Sequence, residues 1–577
     1  MLSIQRQPTA TGKQLGITDE KLCYRYDLLG RLTQELSPSG ALDYEYDALS
    51  NLTTLTLPDG RKLNHLYYGS GHLHQLNLDG QVISDMERDD LHREVYRTQG
   101  KLTSCFGYDA MGRKAWQFAS TLPADKLSQV HNTGVNTSLL VEHAYNPIHR
   151  RYQYDPAGEL VRTLDKLRGE IKYEYEANGQ LRSRDTGSLV GSEEFRYDAA
   201  ANRLDFNARQ FAKVKDNRIK QWRDQEYRYD PWGNLIEKRS GHSKLQTFAY
   251  DCENRLVRAE TLVNGKLESR GEYRYDSLGR RVAKQAEING QVEQKRFLWQ
   301  GLRMLREETP GQSILYVYEP GSYAPLARVD QTEGEEQKLY YFHTDQIGTP
   351  LELTDSDGKI VWQATYRSWG SVEQVAVSEV DQSLRFQGQY FDSETGLHYN
   401  TYRYYAPDVG RFMSPDPIGL RGGFNLFRYN LNPIMWIDPA GLAPCPVRVV
   451  NNTKIHGRGQ VDGTPGHDQF SEAITNKLAM SGKFTDVYLN RSYSFASGRG
   501  ISARRPDVMA VDVNGKVHAI ELASKTDMGK KLPTLTSRNN SAMNNLPSSK
   551  RGEVVVLEHL YSASDMKAIL DDFISGI

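Results

Sequence analysis

The sequence predicts a mainly β protein: an antiparallel sheet of hairpins that curls into a shell, followed by a small α/β domain. Three observations predict this. A Tyr-Asp-x-x-Gly-(Arg/Asn)-Leu motif recurs through the first half of the 577 residues. Two near-identical pentapeptides, Asp416-Pro-Ile-Gly-Leu420 and Asp438-Pro-Ala-Gly-Leu442, close the repeat region. The stretch beyond them has no repeat and is the size of one domain.

Each repeat reads as a hairpin. Tyr26-Asp27, Tyr46-Asp47, Tyr154-Asp155, Tyr175-Glu176, Tyr197-Asp198, Tyr229-Asp230 and Tyr250-Asp251 recur with several steps of about 21 residues, the mark of an array. A strand such as Glu226–Tyr229 alternates aromatic and charged residues. Asp-x-x-Gly then turns the chain, with Gly or Asn taking a positive φ. The 34 tyrosines supply cross-strand packing and are assigned no chemistry. An open sheet of this length would leave an apolar face and bare edges to associate, so closure is expected.

Charge separates the two parts. From Ala443 onward there are 17 Lys and Arg against 13 Asp and Glu, and before it 55 against 60. A mildly basic tail on an acidic body admits a nucleic-acid partner for the tail. No apolar run is long enough to span a membrane. The first residues, MLSIQRQPTATGKQLG, lack a secretory layout, so export is expected to need a dedicated machine. Cys23, Cys105, Cys252 and Cys445 are scattered, which fits a reducing compartment.

The repeats resemble the YD-repeat family and, more narrowly, the bacterial Rhs proteins. The likeness continues through Tyr341-Phe-His-Thr-Asp345, Phe386-Gln-Gly-Gln-Tyr-Phe-Asp392, Gly396-Leu-His-Tyr-Asn400, Arg403-Tyr-Tyr405 and Gly410-Arg-Phe412, which are similar to the Rhs-associated core. The resemblance implies a hollow cocoon over residues 1–330, a closing core with a self-cutting joint over 331–442, and a released toxin domain over 443–577. It also implies an aspartic dyad, Asp416 and Asp438, that cleaves after Leu442 with Arg411 as orienting cation. Two carboxylates sharing one proton can serve as base and acid in peptide hydrolysis.

In the tail, a helix is expected over Asp468–Met480, strands over Tyr488–Phe495 and Gly552–Leu557, and a closing helix over Ser564–Ile574. The informative stretch is Arg504 to Lys525. If Asn514-Gly515 is a two-residue loop, Asp507 and Glu521 lie on opposite faces. A three-residue loop with Gly515 in a bulge pairs Asp512 with Lys516 and sets Asp507 beside Glu521. Adjacent like charges are costly in a sheet, so that register makes sense around a divalent cation, Mg2+ or Mn2+.

The arrangement resembles the PD-(D/E)xK, restriction-endonuclease-like nucleases, which implies a metal-dependent phosphodiester hydrolase. Asp507 and Glu521 match the paired acids, and Glu472 an acidic ligand on the preceding helix. The family's lysine would fall at position 523, which is Ala523. Ser524 and Lys525 are retained as site residues, with Lys530 or Lys531 as other sources of charge. Arg504, Arg505, Lys530, Lys531 and Arg538 are expected on phosphates, DNA being preferred to RNA. Alternatives are a ribonuclease or ADP-ribosyltransferase tail, or a YD-repeat surface-recognition protein. The family reading also implies interbacterial delivery by a type VI apparatus with its spike or adaptor. It implies a cognate immunity protein, and a cleaved toxin kept inside the shell until it acts in the target cytoplasm.

Overall fold

In the Tyr-Asp repeats the aspartate closes the turn. Asp27 Oδ1 accepts the amides of Leu29 and Arg31, each at 2.9 Å, and Oδ2 accepts Arg31 Nε at 2.6 Å. The residue that completes the reversal has positive φ: Gly30 at 80° and Asn254 at 59°, as expected, but also Ser50 at 69° and Ala201 at 59°. There the aspartate's bonds hold a conformation that the residue itself disfavours.

The motif tyrosine reaches back to the previous repeat. The hydroxyls of Tyr46, Tyr67, Tyr197 and Tyr250 donate to the carbonyls of Leu32, Leu52, Leu181 and Leu235 at 2.8, 3.0, 2.8 and 2.8 Å. Arg31 lies over the Tyr46 ring at 4.9 Å and Arg255 over the Tyr275 ring at 5.3 Å. Tyr, Arg and Leu thus recur together because each repeat's ring docks on its predecessor's Arg-Leu. A β-bulge falls at the motif tyrosine in repeat after repeat, at Tyr26, Tyr46, Tyr175, Tyr229, Tyr250 and Tyr275. Each extra residue bends and twists the strand, so the motif builds in the curl.

The computed structural model describes residues 2–442 apart from 15–18, 70, 123–126, 128–145 and 205–213. Beyond them it describes 445–446, 448–450, 453–457, 471, 474–475, 477–479, 481–489, 493, 504–523, 532–557 and 563–577. Two compact units emerge. One comprises Met1–Glu87, Val95–Gly107 and Ala115–Pro444; the other comprises Arg88–Glu94, Tyr108–Lys114 and Cys445–Ile577.

The first unit holds two large sheets rather than a single one. A 16-stranded antiparallel sheet runs from Ser3–Arg6 to Glu193–Glu194, and a 15-stranded one from Gln221–Trp222 to Val372–Ser378, both in chain order. Between them the described residues form only two-residue strands, too short to continue either ladder. The sheets share an apolar cluster that includes Leu55, Leu76, Leu315 and Val329. Buried ion pairs cross the same seam. Glu352 is held by Arg150 and by Arg168, the latter at 2.5 Å, and Arg280 meets Glu35 at 2.6 Å.

A four-stranded sheet, Tyr390–Asp392, Leu397–Asn400, Arg403–Ala406 and Arg411–Phe412, packs against the larger strands. Asp392 accepts bonds from Arg281 at 2.5 Å and Lys284 at 2.9 Å, and Glu394 accepts one from Tyr273 at 2.9 Å. This small sheet is fixed before any functional side chain is considered.

In the second unit a six-stranded mixed sheet is ordered Arg448–Val450, Thr453–Gly457, Phe484–Leu489, Val508–Asp512, Val517–Leu522 and Arg551–Leu557. Helix Leu532–Asn544 connects its last two, parallel strands, and helix Ala563–Gly576 closes the chain. One face packs Met509, Val517 and Ala519 against Ala542 and Met543; the other packs Val508, Ala510 and Ile520 against Leu570 and Phe573. The strand expected over Tyr488–Phe495 instead begins at Phe484 and ends at Leu489. Upstream of Tyr488, Phe484 and Val487 are both buried, with a register shift between Phe484 and Asp486. Helix Leu532–Asn544 had no sequence signal, because its sequence is rich in Asn, Ser and Thr.

Candidate functional site

The two pentapeptides meet in the first unit. Arg403 projects from its strand so that Nη2 lies 3.1 Å from Asp416 Oδ2 and 3.4 Å from Asp438 Oδ2. All three side chains are buried. Arg403 is further held by the Gly441 carbonyl, by the Leu426 carbonyl at 3.0 Å, and by the Phe412 ring at 3.6 Å. Fixed acceptors and a ring leave the guanidinium one orientation, astride both carboxylates.

Leu442 is folded into the same place. Its amide donates to Asp438 Oδ1 at 2.9 Å, and Asn400 Nδ2 donates to the Asp438 carbonyl at 2.7 Å. A methyl group built on Gly422 would stand 2.3 Å from Asp416 Oδ2 and 2.9 Å from the Leu442 carbonyl oxygen. Asp416 and the Leu442 carbonyl therefore converge on the same bare α-carbon. Burial pushes the Asp416 carboxyl up from its ordinary range, against the opposing pull of Arg403.

Arg411 is corrected. It bonds Asn202 at 3.4 Å and the Asn217 carbonyl, with its guanidinium 5.1 Å from the Phe427 ring. The cation on the aspartates is Arg403. Both arginines lie on neighbouring strands, and sheet geometry rather than nearness in sequence selects which one points at the pair. Arg403 belonged to the Arg403-Tyr-Tyr405 motif, so the signal was present but its role was not.

In the second unit the reversal takes three residues. Asp512 N donates to the Lys516 carbonyl at 2.9 Å, Asp512 Oδ1 accepts the amides of Asn514 and Lys516, and Gly515 has φ 79°. The strands then pair Val508 with Ile520 and Val511 with Val517, which sets Asp507 opposite Glu521. Asp507 Oδ2 accepts the Leu522 amide at 2.7 Å. Burial first, and then the charge of Asp507, push Glu521 up from 4.5 to about 7.

Two donors orient Glu521. Arg504 Nη2 bonds Oε1, and Asn539 Nδ2, from helix Leu532–Asn544, bonds Oε2 at 3.1 Å. Tyr493 OH lies 3.5 Å from the Asn539 side-chain oxygen. Asn539 and Tyr493 carried no sequence signal. Arg505 and Arg538 are exposed on the second unit. Glu472, Ser524, Lys525, Lys530 and Lys531 lie outside the described residues. Among the described residues no group of three His, Cys, Asp or Glu is placed to hold a metal. No described helix is long and apolar enough to cross a membrane.

Residues 161–433 match the teneurin YD-shell family model and residues 24–62 the RHS repeat model. The chain is 42% identical over 468 residues to the double-stranded DNA deaminase toxin A of Burkholderia cenocepacia, covering 77% of this chain and 32% of that protein. It is 34% identical over 496 residues to the toxin protein Tse5 of Pseudomonas aeruginosa, covering 74% and 36%. With the probable deoxyribonuclease RhsA of Dickeya dadantii the identity is 31% over 434 residues, covering 73% and 28%. The chain thus spans about a third of the length of the curated relatives it matches. Among solved structures, TcdB2-TccC3-TEV aligns with a TM-score of 0.52 at 18% identity, over 76% of this chain and 25% of that one, a likeness of fold alone. With its tyrosine-docked hairpins, its closing core and these matches, the chain belongs to the Rhs/YD-repeat family.

Proposed function

We propose that this chain is a self-cleaving carrier of a toxic nuclease, acting between bacteria. Relatives named for DNA deamination and for DNA cleavage match over similar shares of the chain. The shared region therefore does not select the chemistry, and the C-terminal residues must.

The cut falls after Leu442. Asp416, whose proton is favoured by burial, donates it to the Leu442 carbonyl oxygen, which approaches the same Gly422 α-carbon. Asp438 takes a proton from the water whose oxygen bonds to the carbonyl carbon. Collapse of the tetrahedral adduct breaks the bond to residue 443, whose nitrogen leaves as the amine with the proton returned by the dyad. Arg403 keeps the pair's charge tolerable in a buried setting. The observation that supports this is the shared approach of Asp416 and the Leu442 carbonyl to Gly422. Purified chain should run as two bands on a denaturing gel and the Asp416→Asn and Asp438→Asn chains as one; two bands from either variant would refute the dyad.

The released domain hydrolyses phosphodiesters, with DNA as the preferred substrate. The observation that carries this is Asp507 set beside Glu521 on one face of a bulged hairpin. Two hard-oxygen donors on one face fit Mg2+ or Mn2+. Bound there, such an ion would supply an activated water and charge neutralisation at the phosphate. Asp507 and Glu521 would hold it, with Glu472 as a further ligand. Digestion of plasmid DNA by residues 443–577, which contain two apolar cores of their own, should need Mg2+ and stop with chelator. Equal digestion by the Asp507→Ala domain would sink the proposal. A cognate immunity protein, a type VI spike or adaptor, and retention of the cut domain by the shell belong to the same reading.

A further inference from the structure

The C-terminal site lacks the lysine that its resemblance calls for. Position 523 is Ala523, 4% exposed, with its amide bonded to the Leu557 carbonyl at 2.9 Å. Yet a cation does stand on the acid pair, and it comes from upstream. Arg504 lies three residues before Asp507, and its Nη2 is bonded to Oε1 of Glu521. Its backbone carbonyl accepts the amide of buried Tyr493 at 3.2 Å, which pins the segment from which the side chain extends.

The exposure of the two partners differs in an informative way. The Glu521 side chain is 9% exposed, whereas that of Arg504 is 26% exposed. The Arg504 side chain therefore grips a buried carboxylate while remaining partly exposed itself. Such a fork can hold a carboxylate and present further N–H donors to a phosphate in the same plane. Asn539 occupies the other Glu521 oxygen, so the carboxylate cannot rotate away from Arg504 without giving up that bond.

We infer that Arg504 is the resident cation of this site, replacing the motif lysine absent at position 523. It neutralises Glu521 in the resting domain and contacts the substrate phosphate during turnover. A cation already on Glu521 also competes with a divalent ion for it. Arg504 thus has opposite effects on metal binding and on catalysis, a signature that a merely structural residue would not give. The inference rests on the reading of this domain as a nuclease.

The test uses residues 443–577, which contain two apolar cores of their own, as wild type, Arg504→Ala, Arg504→Lys, Lys525→Ala and Asp507→Ala. Mn2+ affinity is measured by titration, and plasmid nicking in the same buffer. For Arg504→Ala, nicking should fall by about a hundredfold, the usual loss for one transition-state donor, while Mn2+ binds severalfold tighter. Arg504→Lys should recover part of the nicking. Wild-type nicking by Arg504→Ala, or loss of Mn2+ affinity in parallel with activity, would overturn the inference. Loss of nicking in Lys525→Ala with none in Arg504→Ala would assign the role to Lys525 instead. No nicking by wild type, or full nicking by Asp507→Ala, would refute the nuclease reading itself and not only the part played by Arg504.

Discussion

The Leu442 amide donates to Oδ1 of Asp438 at 2.9 Å, so the second pentapeptide is folded back onto its own first residue. That contact holds the bond proposed as the cleavage point next to one of the groups proposed to cut it. The first pentapeptide reaches the same point through Arg403, whose Nη2 spans both aspartates.

Removing the shared cation should cost both rate and stability. Arg403→Met leaves two buried carboxylates without their partner, a loss of about 3–5 kcal/mol for a broken buried pair. We expect an uncut chain with a lowered melting temperature at pH 7. An unchanged melting curve would mean that the carboxylates take up a proton between them instead.

Gly422→Ala isolates geometry from charge. The added methyl would lie 2.3 Å from Asp416 Oδ2 and 2.9 Å from the Leu442 carbonyl oxygen, so one of the two must move. Cleavage should slow by at least about tenfold, the scale of a 1 Å misplacement being about a hundredfold. Circular dichroism should stay that of wild type. Wild-type cutting would show that the two groups need no close approach at Gly422.

The sheet seam depends on Glu352, fully buried between Arg150 and Arg168. Glu352→Gln keeps the shape and removes the charge, leaving two buried guanidiniums with the single carboxylate of Asp165, 2.9 Å from Arg150 and 3.2 Å from Arg168. Destabilisation of about 3–5 kcal/mol is expected, read as a shift in the denaturant midpoint. The shift should largely vanish when Arg150 is replaced by Met in the same chain.

The C-terminal domain should be less stable at neutral pH than in mild acid when metal-free. Glu521 is raised to about 7 in the folded state from 4.5. The folded domain therefore binds a proton that the unfolded chain has released. That stabilisation is complete below pH 4.5 and is lost as pH rises through 7. It amounts to at most about 3 kcal/mol. Thermal melts in chelator across this interval should show the decline, and Glu521→Gln should flatten it.

The tyrosine ladder predicts a smaller, local effect. Tyr250→Phe keeps the ring but loses the 2.8 Å bond to the Leu235 carbonyl, leaving a buried acceptor. A cost of about 1 kcal/mol is expected by chemical denaturation.

How much of this was legible differs between the two sites. At the hairpin, Asn514-Gly515 between alternating strands left two registers open, and the cost of setting two acids side by side had to be weighed against a cation. The observed bonds of Asp512 Oδ1 to the amides of Asn514 and Lys516 show what selects the longer reversal: the aspartate's own side chain closes it. The same device closes every Tyr-Asp turn, so the clue was available earlier in the chain. At the joint, the paired pentapeptides marked the aspartates, but the resemblance pointed to an arginine just upstream, Arg411, whereas Arg403 stands on the pair. Asn539 was unreadable, since its helix presents few apolar positions and its partner Glu521 is 18 residues away.

The sequence by itself determined what local chemistry controls: turns set by Asp and Gly, strand alternation, the repeat, and the break in composition after Leu442. Those features act within a few residues and are written in them. Tertiary structure alone decided which of two arginines meets the aspartates, where one sheet stops and the next begins, and which cation sits on Glu521. Each of these depends on side chains brought together across long stretches of chain by sheet register and burial, and no short window of residues contains that information.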